Sequence, residues 1–265
     1  MASRTHSVLV ALGLLTVVGL LAVGSVLYGF TRPQPDSVEH TYRYELVVEP
    51  SATLTDVTLY LPVPVENGTS PVADAVVAGD ANVAVEGDPP WNASVVDTEF
   101  GPMLALTVAE LSPRYVERPP PQSLPDDPDA TPPPTGTPVT RLDAYRVSVE
   151  LPAADPVDTA APLDAEPTLR PRIGATESPC ATPTTEDAVC RSFETRAYLR
   201  YDAPANASTT VVVSYEGENT WFAGGWTGNS FTQRTGVVAV GSGDGWVALP
   251  VTETTGAGRY PTPKA

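Results

Sequence analysis

The sequence contains few of the residues that build metal, cofactor and nucleophilic sites. Its 265 residues include only 2 histidines and 2 cysteines, and 15 basic residues stand against 32 acidic ones. So few histidines and cysteines do not form a zinc finger, a four-cysteine iron–sulfur site or a haem-binding array. The net charge of −17 at pH 7 argues against nucleic-acid binding through a basic patch. We therefore predict no cofactor, no bound metal and no nucleic-acid partner.

The scarcity of histidine also limits the catalytic classes. His6 precedes a long apolar run and His40 begins a predicted strand, and no nucleophile-elbow motif accompanies either. We assign no catalytic residue and predict that the protein is not an enzyme. Because a pair of carboxylates suffices for glycoside hydrolysis and the chain has 32 acidic residues, an envelope hydrolase is the alternative.

The N-terminal segment has the composition of a membrane anchor. From Ser7 to Thr31 there is no charged residue, and Val8 to Phe30 is almost wholly apolar. About 20 apolar residues cross a bilayer as a helix, so residues 1–35 are predicted to be an uncleaved signal-anchor with a cytoplasmic N-terminus. A signal peptide cleaved after Gly24 is the rival interpretation. The spacing of Ser25 and Gly29 also allows the helix to dock in a larger membrane complex, as an accessory subunit would.

Sequons and cysteines indicate that residues 36–265 lie outside the cell. The asparagines of the three N-glycosylation sequons are Asn67, Asn92 and Asn206. Cys180 and Cys190 are the only cysteines, and an isolated close pair in an exported segment predicts a disulfide. We therefore expect a single-pass protein of the cell membrane with an extracellular C-terminal domain.

The acidity belongs to the exported part. Residues 1–35 contain Arg4, Arg32 and no acid, so the remainder carries a net charge of −19. Lys264 is the only lysine. This composition resembles that of membrane-anchored extracytoplasmic proteins of extremely halophilic archaea. The resemblance implies a fold adapted to molar salt, where a Debye length of about 3 Å screens repulsion between surface carboxylates.

Outside the apolar run, the residue pattern is that of β-strands. Alternation with period two is clearest in five segments, 42–49, 57–63, 145–151, 196–202 and 211–215. Shorter candidates are 72–78, 82–86, 94–99, 103–109, 220–223, 235–240 and 245–251. No segment of useful length has helical periodicity. We predict an all-β, β-sandwich-like domain with long proline-rich inserts, preceded by one transmembrane helix.

Two proline-rich segments interrupt the strands. Residues 112–138 are rich in Pro and Asp, and residues 152–192 are rich in Pro, Thr and Ala and contain both cysteines. Such segments bury little apolar surface, so we expect a disordered insert and an exposed loop. One sandwich is then built from residues 36–111 and 139–254, with a flexible tail at 255–265. Two small domains joined by the first insert are the alternative.

Three of the four tryptophans occur near the C-terminus, among glycines and amides. Exposed tryptophan beside amide side chains is typical of sugar and protein contact sites, whereas buried rings would be packing units of the core. The sequence therefore allows either a surface binding patch or a buried cluster formed by Trp221, Trp226, Trp246, Asn219 and Asn229. The predicted function is a non-enzymatic cell-surface role: binding of an envelope protein or glycan, or envelope structure.

Overall fold

A computed structural model describes residues 32–87, 89, 91–118, 139–180 and 189–258, and the isolated positions 19, 24 and 28. The strands are β1 (Glu39–Pro50), β2 (Leu54–Leu61), β3 (Val63–Val65), β4 (Val83–Glu86), β5 (Asn92–Thr98), β6 (Gly101–Leu111), β7 (Arg114–Arg118), β8 (Val139–Asp143), β9 (Tyr145–Pro152), β10 (Thr168–Arg170), β11 (Ile173–Ser178), β12 (Val189–Asp202), β13 (Ser208–Phe222), β14 (Trp226–Val240) and β15 (Gly243–Gly258). The helices are α1 (Pro71–Ala78) and α2 (Pro162–Ala165), and a 3₁₀ turn spans Pro35–Ser37. The prediction of an all-β fold is confirmed.

Eleven strands form one antiparallel sheet that curls around a single core. Its order is β4-β9-β1-β13-β14-β15-β12-β2-β6-β5, and β11 also pairs with β12. Strands before and after the first proline-rich insert therefore belong to the same sheet. We call β4, β9, β1, β13 and β14 the first half of this sheet and β15, β12, β2, β6 and β5 the second half. Side chains at alternate positions of both halves point inward and form the buried cluster. Tyr44, Val213 and Phe231 come from the first half, and Leu59, Leu106 and Leu199 come from the second.

The two halves separate along part of their junction. β14 pairs with β15 between residues 229–235 and 251–258, whereas no pairing between these strands continues into residues 236–240 of β14. Toward its N-terminal end, β15 remains paired with β12 back to Gly243. β14 and β15 therefore diverge beyond residue 235 of β14.

The segment 72–78, predicted as a strand, is helix α1. Its N-cap is Ser70, whose Oγ accepts a hydrogen bond from the Ala73 N–H at 3.2 Å. Pro71 occupies the first turn, and Gly79 ends the helix with φ 65°, a conformation that glycine adopts without strain. The caps were visible in the sequence, but a run of valine and alanine suits both structures. The buried face of α1 packs against β3, β5 and β9.

The segment predicted as a loop over residues 152–192 is largely structured. Residues 153–170, here called the strap, bury Val157, Thr159 and Leu169 against the sheet. Beyond the strap, β11 and the first part of β12 pair with each other. Composition indicated an exposed loop because prolines and acids are frequent, whereas a few buried side chains and side-chain hydrogen bonds suffice to fix it.

The predicted disulfide is present: Cys180 and Cys190 are bonded, with their Cα atoms 5.1 Å apart. Cys190 lies within β12, opposite Ser178 of β11. Within the first insert, predicted to be disordered over residues 112–138, residues 114–118 instead form β7, which pairs with β8 at residues 139–143, just after the insert. Residues 119–138 and the end of the predicted tail, 259–265, lie outside the described residues.

No helix within the described residues is long and apolar enough to cross a bilayer. The predicted span at residues 8–30 lies outside them except for positions 19, 24 and 28. At position 28 the tyrosine ring lies under the Arg32 guanidinium, 4.1 Å from its carbon to the ring centroid.

Candidate functional site

The three tryptophans of the predicted aromatic patch do not share one surface. Trp221 is buried, with 6% of its surface exposed, whereas Trp226 is 67% and Trp246 37% exposed. Trp221 and Trp226 lie at the β13–β14 hairpin, and Trp246 lies toward the opposite end of the strands. Of the three rings, Trp221 is therefore buried, whereas Trp226 and Trp246 are exposed to solvent.

The two amides of that patch are buried and bonded within the protein. Asn219 and Asn229 face each other across β13 and β14. The Asn219 side chain accepts from the Val157 N–H at 2.9 Å and donates to the Val157 carbonyl at 2.8 Å. The Thr159 hydroxyl donates to Asn229 Oδ1 at 2.8 Å, and His40 Nδ1 lies 2.7 Å from Asn219 Oδ1. The two amides therefore fasten the strap to the sheet, and their hydrogen bonds are made within the protein.

The same arrangement continues along the inner face. Gln233 accepts from the Leu169 N–H at 2.9 Å and donates to Glu253 at 2.6 Å. Arg191 lies 3.6 Å from the other Glu253 oxygen. Burial raises the pKa of Glu253, and the Gln233 hydrogen bond and the Arg191 charge partly oppose that rise. A row of polar side chains therefore holds the strap in place.

A small cavity of about 380 Å³ lies between the strap, β3 and the start of α1. Tyr42 and Tyr215 stack beside it with ring centroids 5.8 Å apart, and the Tyr42 hydroxyl donates to Glu166 of the strap. Burial is the main cause of the raised pKa of both tyrosines. Their hydroxyls therefore stay protonated at neutral pH, and that of Tyr42 is already bonded.

A second cleft lies on the outer face of the other half of the sheet. Its volume is about 970 Å³, and it crosses five strands. The strand registers place five polar residues in one row across it: Asp244 (β15), Arg200 (β12), Thr58 (β2), Thr107 (β6) and Asn92 (β5). We call these five residues the polar row. Four are exposed and Thr58 is half-buried, so their hydroxyl, amide, carboxylate and guanidinium groups face solvent.

A second row of side chains is aromatic and lies two positions from the polar row on each of β15, β12 and β2. It consists of Trp246, Tyr198 and Tyr60. Side chains at i and i+2 of a strand share a face, so this row borders the polar row. The Tyr60 and Tyr198 rings stack at 5.1 Å, and Trp246 packs edge-on against Tyr198 at 5.4 Å. Phe100 from the β5–β6 turn supports Trp246 at 4.9 Å. We call these four rings the outer aromatic cluster.

The charges of the cleft are predominantly negative. Asp56, Asp202 and Asp244 line it together with Arg200. Among the described residues, no carboxylate lies within ion-pair distance of Arg200, so its donors are open to a ligand. Asp56 has a φ of 52°, an uncommon conformation for a residue other than glycine and one that is concentrated at functional sites. Within the described ranges, no group of three or more His, Cys, Asp or Glu side chains is arranged to hold a metal ion.

All three sequon asparagines are exposed. Asn67 lies in a turn with φ 49° and Asn206 in a turn before β13. Asn92 belongs to the polar row, so a glycan attached there would enter the cleft.

Sequence reasoning missed the cleft because its residues come from five strands. The alternation of segment 196–202 places Tyr198 and Arg200 on the face opposite Leu199, as the structure does. The order in which β15, β12 and β2 pair could not be obtained from alternation, because that order depends on long-range contacts. Only Trp246 and Asn92 had been singled out, each for a different reason.

Comparisons of the chain with protein-family models, with curated proteins and with solved structures find no match.

Proposed function

We propose that the protein is a membrane-tethered extracytoplasmic domain that binds a neutral glycan in the cleft on its outer face. The curled sheet would serve as a β-sandwich-like scaffold, and residues 1–35 as its uncleaved anchor. The observation that carries the proposal is the adjacency of the polar row and the outer aromatic cluster. Sugars have apolar ring faces and hydroxyl rims, and these match aromatic rings beside hydrogen-bonding side chains.

The charge of the cleft favours a neutral sugar over an acidic one. Three carboxylates against one guanidinium repel uronates and sulfated sugars, whereas neutral hydroxyl groups donate to carboxylates and accept from Arg200. The volume of about 970 Å³ is at the upper end of the range for small-ligand sites, roughly 300–1,000 Å³. The cleft is therefore large enough for several sugar units of a chain.

An extracytoplasmic location agrees with the disulfide between Cys180 and Cys190 and with the exposure of the sequon residues Asn67 and Asn206, which lie outside the cleft. Disulfides persist in oxidising compartments and are rare in the cytosol of most cells. Sequon asparagines must also be exposed to be glycosylated.

Affinity electrophoresis of the full chain at high salt, in a detergent without a sugar headgroup, tests the binding function. Gels would contain dextran, mannan or galactan as neutral polysaccharides and alginate as an acidic one. We expect retardation by at least one neutral polysaccharide and none by alginate. Arg200→Ala should weaken retardation at least tenfold, since a hydrogen bond to a charged group contributes about 1.5–3 kcal/mol. Trp246→Ala, which removes a ring that would pack against the sugar, should also weaken it. Arg234→Ala removes an exposed arginine from β14 and is the matched control.

The proposal fails if none of the neutral polysaccharides retards the chain, or if the two cleft variants migrate as the unaltered chain does.

A carboxylate-dependent glycoside hydrolase is the second candidate, because Asp56, Asp202 and Asp244 line the same cleft. Release of reducing ends from the bound polysaccharide, abolished by Asp202→Asn or Asp244→Asn without loss of binding, would favour it. Binding without any release of reducing ends would leave the glycan-binding function alone.

A further inference from the structure

The β13–β14 hairpin ends in an uncharged aromatic tip. Its residues 222–226 read Phe-Ala-Gly-Gly-Trp, and no charged residue occurs between Thr220 and Gly228. Trp226 is 67% exposed, and the Phe222 ring packs edge-on against it at 6.0 Å. An exposed, uncharged tip is unusual in an exported part whose net charge is −19. Because one part of the indole ring is apolar and another is polar, such a tip is suited to contact with a partner surface.

The start of the exported part is bonded directly to this tip. The Gln34 N–H donates to the Phe222 carbonyl at 2.9 Å, and the Phe222 N–H donates to the Ser37 hydroxyl at 2.9 Å. The apolar run of the predicted span ends at Phe30, four residues before Gln34. Four residues reach at most about 14 Å, since an extended chain spans about 3.3–3.6 Å per residue. The tip therefore lies near the point where the predicted anchor leaves the bilayer.

We propose that the Phe222–Trp226 tip inserts into the lipid headgroup region and fixes the orientation of the domain on the membrane. Tryptophan and tyrosine concentrate at this interface because one part of the ring system is apolar and another is polar. The tip carries no carboxylate, so an anionic surface does not repel it as it repels the acidic remainder. The inference rests on the proposed tether but not on glycan binding.

The orientation that follows directs the cleft away from the bilayer. β14 runs for 15 residues from Trp226 to Val240, which corresponds to roughly 45–50 Å at about 3.3 Å per residue. Ser242, Gly243 and Asp244, which line the cleft, follow immediately. A domain that rests on its hairpin tip would hold the cleft toward the surrounding medium, where envelope glycans are encountered.

Quenching of tryptophan emission by brominated lipid tests the contact. The full chain would be reconstituted in phosphatidylcholine vesicles whose acyl chains are either plain or dibrominated close to the headgroup, and flotation would first establish that it is held by the bilayer. Bromine quenches only indoles in contact with it. We expect brominated vesicles to lower the emission of the unaltered chain, and Trp226→Phe to lose most of that quenching. Trp246→Phe, which removes an exposed tryptophan at the far end, should retain it.

Three outcomes distinguish the proposals. A chain that does not float with vesicles overturns the tether, and the tip contact with it, and leaves glycan binding to be decided by electrophoresis. A chain that floats but whose Trp226 is quenched by acrylamide and not by bromine overturns the tip contact alone. In the third outcome, Trp226 becomes more protected from acrylamide as the protein concentration rises, equally in plain and brominated vesicles. The tip would then contact a second copy of the chain, and the lipid contact would be overturned. Since Trp226 is mostly exposed, its replacement should not impair folding.

Discussion

The side-chain amide of Asn219 donates a hydrogen bond to Asn229 Oδ1 at 2.7 Å, and both side chains are more than 90% buried. The same Nδ2 of Asn219 also donates to the Val157 carbonyl, and Asn219 Oδ1 accepts from the Val157 N–H. Two asparagines that resemble a sugar-binding pair in the sequence thus act as an internal clamp on the strap. Burial of the two amides costs little free energy because both side-chain oxygens and the Asn219 Nδ2 are hydrogen-bonded.

Replacing Asn219 with alanine should destabilise the fold strongly. The change leaves the Val157 N–H and carbonyl without the partner they have in the folded state, and each buried unsatisfied group costs about 1–3 kcal/mol. We expect a loss of roughly 2–4 kcal/mol in the free energy of unfolding, measured by denaturant titration at high salt. Asn82→Ala, at an exposed position, should change it by no more than about 0.5 kcal/mol. Equal stability of the two variants would contradict the clamp.

Replacing Gly217 with alanine should destabilise the fold. A Cβ there would lie 2.2 Å from Phe231 Cε1 and 2.8 Å from Val157 Cγ1, so the ring or the strap must move. Overpacking of this kind costs about 1–3 kcal/mol. Gly225→Ala is the control, because a Cβ at that position meets nothing within 4 Å. Thermal unfolding of both variants checks the prediction, and a Gly217→Ala variant as stable as the control would refute it.

The strands could be predicted from the sequence, whereas the strap and the cleft could not. Tyr44, Leu46 and Val48 alternate with polar residues, and local alternation suffices to identify half-buried strands. The burial of Leu169 depends on Gln233, which lies 64 residues away and bonds its N–H. Likewise Tyr60 and Tyr198 meet only because β2 and β12 pair. Local pattern carries no information on such pairings, and the composition of residues 153–170 indicated the opposite of burial.

Ionisation of Glu253 should lower the free energy of unfolding as pH rises above the ordinary pKa of a carboxyl group. Its folded-state pKa is raised, chiefly by burial, so the folded protein binds its proton more tightly than the unfolded chain does. The cost of ionisation is absent below the unfolded pKa, grows between the unfolded and folded pKa values, and persists above them. Glu253→Gln should therefore gain stability relative to the unaltered chain as pH rises from about 4 toward neutral.

Urea unfolding of both proteins at several pH values measures that difference. Glu177→Gln, which removes one carboxylate from an exposed position of β11, controls for the loss of net charge. A difference between Glu253→Gln and the unaltered chain that does not vary with pH, beyond that of the control, would exclude the effect.

Replacing both cysteines with serine should lower stability without abolishing cooperative unfolding. The bond joins positions 10 residues apart, and closing so short a loop stabilises a fold by about 2.5–3 kcal/mol in the chain-entropy model. The pairing of β12 with β15 extends over residues 189–201 and does not depend on the bond. Calorimetry of the double variant should show one transition at a lower melting temperature. A broad, non-cooperative transition would mean that the bond organises the sheet itself.

The net charge of −17 predicts that the fold weakens as salt is removed. Exposed acidic residues such as Asp56, Asp202 and Asp244 lie close together on the surface, and few basic residues are present to offset them. At molar salt the Debye length of about 3 Å is shorter than most of their separations, whereas at 10 mM it is about 30 Å and repulsion acts across the whole domain. The melting temperature should therefore fall steadily from molar to dilute sodium chloride. Asp202→Asn and Asp244→Asn together should reduce that dependence, and a melting temperature independent of salt would rule out adaptation to high salinity.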